Sequence, residues 1–171
     1  KIEPVIDRNY ISPKKPKEFV FPQDSFEYAV SITASIAKYF LEKNLTVGFA
    51  CAGESVSIFT PEKGNRQLNK ILESLAVVKD IGTTSFEHLV EKQSKNISKG
   101  SAIILITAIK DKSNEIVMEV LRRRGFHVLT VILDNETFGL NNKSDGSHIK
   151  PSDSMIKVGF GDDIGKILSC T

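Results

Sequence analysis

Cysteine is scarce in this sequence, with two in 171 residues. Cys51 and Cys170 are too few for a disulfide framework. Cys51 sits in a β-rich stretch where a small buried hydrophobe suffices. A reducing compartment is expected, and with it a cytoplasmic domain. No run reaches the ~18 consecutive apolar residues of a membrane-crossing helix, so this chain is not expected to span a bilayer. Excess charge is missing too. The 23 Lys and Arg against 21 Asp and Glu leave a net charge of +2. Nucleic-acid binders usually show a clustered basic face, so no nucleic-acid partner is expected. There is no signal peptide and no initiator Met. The chain opens on Lys1, and we expect a piece of a longer protein whose upstream part leaves room for a membrane anchor.

The motifs of common enzymes are absent as well. There are serines but no G-x-S-x-G elbow. His88, His127 and His148 have no metal-ligand spacing and read as ordinary surface or packed histidines. Residues 159–167, GFGDDIGKI, look like a phosphate loop at a glance. That loop needs four residues between its glycines and a hydroxyl after the lysine. Here five residues separate Gly159 from Gly165, Ile167 replaces the hydroxyl, and Asp162 and Asp163 would repel a phosphate. The simpler reading is a strand end followed by an Asp-capped helix. The carboxylate pairs Asp162/Asp163 and Asp134/Glu136 lie in loops or caps without an evident partner. The expectation is a protein without enzymatic activity. An enzyme with an unrecognised site stays as an alternative.

What is present is a soluble globular composition, 40% hydrophobic and 26% charged, at a length that fits one domain. Residues 1–23 hold Pro4, Pro13, Pro16 and Pro22 and read as an extended arm, with a short strand at Ile2–Ile6 as the remnant of a first strand. The basic run Lys14–Lys17 reads as solvated surface. Residues 24–171 form the expected domain. Asp24 and Glu27 have capping-box spacing and open a helix with the stripe Phe26, Ala29, Val30, Thr33, Ala37, Phe40 and Leu41. Its small residues suit close approach to a sheet, and Lys43 and Asn44 close it.

Leu45–Cys51 and Ser55–Thr60 flank a turn at Gly53-Glu54 and predict an antiparallel hairpin with a half-exposed second strand. A helix follows over Asn65–Val78. Thr84-Ser85-Phe86-Glu87 repeats the capping-box spacing and opens the next helix. Ala102–Ile106 is a buried strand ending at Thr107-Ala108, and Ser113 is placed as the cap of a helix ending at Gly125. Arg122, Arg123 and Arg124 there favour the helix dipole. His127–Leu133 and Met155–Phe160 are strands, separated by a long polar loop over 134–153, and Asp162–Leu168 closes the chain as a helix. Strands alternating with helices predict a mainly parallel sheet covered on both faces, with the hairpin as one antiparallel edge.

The segments SFEYAVSITASIAKYFLEKNLTVGFACAG, PEKGNRQLNKILESLAVV, SAIILITA and RRRGFHVLTVILD carry a family resemblance. Together they resemble the "domain of unknown function 58" family, whose members have a von Willebrand factor A-like domain. IKVGFGDDIGKIL fits the family's closing strand and helix. The resemblance implies a Rossmann-like, three-layer α/β/α fold. It also implies a larger parent protein, often with N-terminal membrane helices and frequently encoded near a MoxR-type AAA+ ATPase. It suggests a role in complex assembly, with that ATPase as the candidate protein partner.

Von Willebrand A domains often hold a divalent ion through an Asp-x-Ser-x-Ser element, a Thr and an Asp that follows a Thr at a later strand end. This chain departs from that pattern. Asp7-Arg8-Asn9-Tyr10-Ile11-Ser12 is a corrupted first element, and Ala108 stands where the Asp belongs. Asp111 lies nearby, with Lys110 beside it to disfavour a cation. A degenerate metal site is therefore expected, with no cofactor. The alternative is a Mg²⁺ site using Asp7, Thr83 and Asp111. Ligands dock at the carboxyl ends of parallel strands in such sheets. The candidate binding residues are Asp7, Asn9, Thr83 and Thr84, together with Thr107, Lys110 and Asp111.

Overall fold

Helix α1 runs from Ser25 to Glu42 in a computed structural model that describes residues 24–81, 84–108, 112–139, 155–163 and 166. Asp24 caps it by accepting the Phe26 amide at 2.9 Å, satisfying a donor that no helical carbonyl can reach. The far end closes as expected. Asn44 takes a left-handed φ of 58°, and the amides of Asn44 and Leu45 turn back to the carbonyls of Leu41 and Phe40. These are the paired bonds of a Schellman cap. The buried stripe differs in part from the one expected. Tyr28 and Ile32 are its most deeply placed large residues, beside Ala37 and Leu41. The Tyr28 ring meets Phe138 edge-on and its hydroxyl accepts a backbone amide. A tyrosine is buried readily when its oxygen finds such a partner.

The parallel strands are β3 (Ala102–Thr107), β4 (His127–Leu133) and β5 (Met155–Val158), paired in the order β3-β4-β5. Before them comes the hairpin of β1 (Val47–Ala52) and β2 (Val56–Glu62). The hairpin forms its own two-stranded sheet. Among the described residues no ladder joins it to β3. Thus the mixed α/β architecture is present, and among the described residues the expected antiparallel strand belongs to a two-stranded pair of its own. The Ile2–Ile6 strand, the arm over 1–23 and the end of the closing helix lie outside the described residues.

Helices α2 (Gly64–Val77), α3 (Phe86–Ser94) and α4 (Lys112–Arg123) complete the elements. The cap of α3 is Ser85, which accepts the His88 amide, one residue later than the box opened by Thr84. Helix α4 starts at Lys112, so Ser113 lies inside it rather than ahead of it. Its end is as expected, with Gly125 at φ 87° and the Phe126 amide on the Leu121 carbonyl. The arginines there have local partners. Arg123 pairs with Glu119 at 2.8 Å, and Arg124 donates to Ser94 Oγ at 3.0 Å, tying α4 to the end of α3. Strand β5 stops at Val158, short of Phe160, because Gly159–Asp163 folds into a turn held by the Asp162 carboxylate.

Three apolar clusters hold these elements. Tyr28 and Ile32 of α1 pack on Val131, Leu133 and Val158. Met118 and Leu121 of α4 pack with Leu105 and Val128 on the other face, joined by Phe86 and Val90 of α3. Ala37 and Leu41 of α1 meet Ile71 and Leu75 of α2 over Val47, Phe49 and Phe59 of the hairpin. Helix α1 therefore lies across both sheets. The hairpin's inward face is Phe49 stacked on Phe59 at 5.8 Å, which leaves Val56 and Ile58 on its exposed face.

A bulge shapes the hairpin. Val47 pairs with Glu62 and Phe49 with Phe59, so one extra residue of β2 is accommodated where Pro61 sits. A Cβ on Gly48 would meet the Pro61 ring at 3.0 Å. The bulge leaves carbonyls without ladder partners, and the fully buried Gln67 of α2 supplies the donors. Its Nε2 reaches Val47 O at 2.8 Å and Thr60 O at 3.0 Å.

Candidate functional site at the carboxyl edge of the parallel sheet

Three parallel strands end together at Thr107, Leu133 and Val158. Buried strands of this kind present their terminal backbone groups and following loops at one edge, where ligands of α/β sheets dock. The loops here are braced to one another. Asn135, just after β4, donates from Nδ2 to Ala108 O at 2.9 Å, linking the ends of β3 and β4. The Asn135 Oδ1 atom is buried without a hydrogen-bond partner among the described residues. Thr137 Oγ1 donates to Asp134 O and accepts the Phe160 amide at 2.9 Å, linking the ends of β4 and β5. Gly161 donates to Tyr28 Oη at 3.1 Å, bringing the start of α1 to the same edge.

Beneath these bonds lies an aromatic triangle. Tyr28, Phe138 and Phe160 have ring centroids 4.9, 6.1 and 5.9 Å apart. Phe138 is buried, whereas Phe160 remains 42% exposed. An apolar ring thus reaches the surface on a rigid footing. Around it the charge is mixed. Lys157 Nζ contacts the Asp134 carboxylate at 2.6 Å, with the lysine side chain largely in solvent and the carboxylate mostly covered. The hydrogen bond to Asp134 pushes the Lys157 pKa above its ordinary value, against a smaller lowering by burial. Glu136, Asp162 and Asp163 add negative charge. Lys166 turns its amide to Asp163, consistent with the Asp-capped helix start expected there.

Thr107 ends β3 at this edge as expected. Thr84 is placed elsewhere. It lines an open groove of about 340 Å³ with Val56 and Ile58 of the hairpin and His88, Leu89 and Lys92 of α3. Thr107 is not among that groove's walls. Asp7, Asn9, Thr83, Lys110 and Asp111 lie outside the described residues. The whole of the alternative Mg²⁺ set, Asp7, Thr83 and Asp111, is among these. Among the described residues no group of three or more His, Cys, Asp or Glu side chains is arranged to hold a metal.

Asn135, Thr137, Phe160 and Tyr28 are the edge residues that sequence reasoning did not single out. A signal for two of them exists in Asp134-Asn135-Glu136-Thr137, a run of turn-forming residue types directly after a buried strand, in which Thr137 bonds its own turn backbone. No comparable local signal marks Tyr28, whose partner lies 133 residues away. No protein-family model matches the chain, and no curated protein matches it in sequence. No helix among the described residues is long and apolar enough to cross a membrane.

Proposed function

We propose that this chain is a protein-interaction module that docks a partner through the carboxyl edge of its parallel sheet and performs no chemistry of its own. The observation that supports it best is the exposed Phe160 ring, held on the Tyr28–Phe138 pair and framed by cross-braced loops. Aromatic residues with a rigid, buried backing are typical anchors of protein interfaces, where a few such residues carry most of the affinity. The rim of Asp134, Glu136, Asp162 and Asp163 against Lys157 and Lys166 favours a partner surface with basic residues.

The family resemblance supplies a named candidate. In this reading the domain is von Willebrand A-like with a degenerate metal site, and its partner is a MoxR-type AAA+ ATPase acting in complex assembly. Binding of that ATPase to the wild-type chain and to Phe160→Ala, followed by calorimetry, tests the proposal. The variant should bind at least about tenfold more weakly, the ~1.4 kcal/mol expected for a modest anchor. Equal affinity for both chains would rule out the Phe160 edge as the docking surface. Thermal melts with EDTA and with excess Mg²⁺ separate the metal-dependent alternative. A resident site at a hundredfold excess of ion over Kd stabilises by about 2.7 kcal/mol, and the proposal requires no such shift.

A further inference from the structure

The groove that holds Thr84 follows from a difference between the two strands of the hairpin. Side chains alternate between the faces of a strand. Phe49 and Phe59 fill the face under α1 and α2, so Ala50 and Ala52 of β1 belong to the opposite face, with Val56 and Ile58 of β2. Across the ladder Ala50 pairs with Ile58 and Ala52 with Val56. Helix α3 packs on β1, where the alanines allow a close approach. The larger Val56 and Ile58 stay outside its cover, 43% and 41% exposed. The space between them and α3 is the groove.

Its two walls differ in chemistry. The strand wall, Val56 and Ile58, is apolar. The helix wall has the buried Leu89 between the exposed His88 and Lys92. His88 and Lys92 lie one turn apart on α3 and share one side of it. Among the described residues no carboxylate lines the groove. Lysines nearby are paired, Lys95 with Glu91 and Lys79 with Glu54. Lys92 and His88 have no acidic partner among the described residues. The spacings of the walls agree. Val56 and Ile58 are about 6.7 Å apart along β2, and His88 and Lys92 are about 6 Å apart along α3. Every second residue of an extended chain repeats at about 6.7 Å, close to both.

We propose that this groove is a second docking site, and that its occupant is an extended segment of a partner protein in which apolar and acidic residues alternate. Successive side chains of such a segment point to opposite sides. Its apolar residues meet Val56 and Ile58, and its carboxylates meet His88 and Lys92. The unneutralised cation on the helix wall selects acidic over basic segments. Pro61 and its bulge blunt the outer edge of β2, so the segment is read by its side chains rather than added as a further strand. The site shares no residue with the Phe160 edge and has the opposite charge preference.

Fluorescence anisotropy with the full 171-residue chain tests this assignment. The probe is a fluorescein-labelled octapeptide of alternating valine and glutamate. It should bind saturably, and about tenfold more tightly than the same residues arranged in two blocks or than a valine–lysine octapeptide. Lys92→Glu, an exposed change, should weaken the valine–glutamate probe at least about tenfold and let the valine–lysine probe bind better. Ile58→Ser should weaken both. Phe160→Ala should bind the probe as wild type does, which separates this site from the sheet edge. The absence of saturable binding to the wild-type chain would overturn the proposal, and so would binding that Lys92→Glu leaves unchanged. Equal affinity for the block peptide would overturn it too. A wild-type chain that sediments as a dimer, with Lys92→Glu a monomer, would assign the groove to a second copy instead. The wild-type titrations decide even if Ile58→Ser fails to fold.

Discussion

Gln67 shows how much one side chain can hold. Its amide nitrogen serves two carbonyls that the Pro61 bulge leaves open. Gln67→Leu keeps the volume and removes the donors. Two buried acceptors are then stranded, at about 1–3 kcal/mol each, reduced where water enters. We expect a loss of about 2–4 kcal/mol, read from urea unfolding with an unchanged slope. Cys51 offers a pH signature. Burial raises its pKa, against lowering hydrogen bonds from Ser57 and Ser74. The folded state therefore holds the thiol proton more tightly than the unfolded state. Its contribution is fully present below pH 9.0, the ordinary thiol value, and is lost as pH rises beyond it toward the folded pKa. Urea midpoints taken from pH 7 to pH 10 should fall more steeply for wild type than for Cys51→Ala. An alkylating probe at pH 7.5 should modify native Cys51 more slowly than the unfolded chain.

At the scale of elements, the chain's punctuation was the most legible part. Asp24, Asn44 and Gly125 end their helices where the residue types say they should, because capping is decided within a few residues. Strand β4 has the limits its apolar run suggests, since it is buried along nearly its whole length and its one interior polar residue, Thr130, is satisfied by Met118 Sδ. What local sequence could not settle was which neighbour each strand finds. The hairpin was readable, but not that it forms its own pair among the described residues. The same holds for its faces, since Val56 and Ile58 alternate as an inward pair would, yet Phe49 and Phe59 fill the inner side. The site followed this pattern. Thr107 was legible as a strand end, while Tyr28 reaches the edge only through tertiary packing. The left-handed cap of α4 yields a test at this scale. A Cβ on Gly125 meets nothing within 4 Å, so only its φ of 87° opposes substitution. Gly125→Ala should cost about 1 kcal/mol, seen as a lower denaturation midpoint with ligand binding at the Phe160 edge unchanged.

For the whole molecule, the decisive relation is that α1 packs on both sheets. Tyr28 and Ile32 belong to one cluster and Ala37 and Leu41 to another. Truncating Ile32, fully buried, should therefore loosen the hairpin as well as the parallel sheet. Ile32→Ala is expected to cost about 2–5 kcal/mol, and exchange in β1 should quicken along with exchange in β4. The same helix has a consequence for the order of events in folding. It is 18 residues long, capped at both ends by its own neighbours, and needs no distant partner to start. The parallel ladders join residues 25 apart in the chain, such as Ala102 with His127 and Thr130 with Met155, and such closures come late. Helix α1 should then form early and act as the template on which two otherwise separate halves are assembled, so substitutions along it slow refolding while those in β5 mainly hasten unfolding.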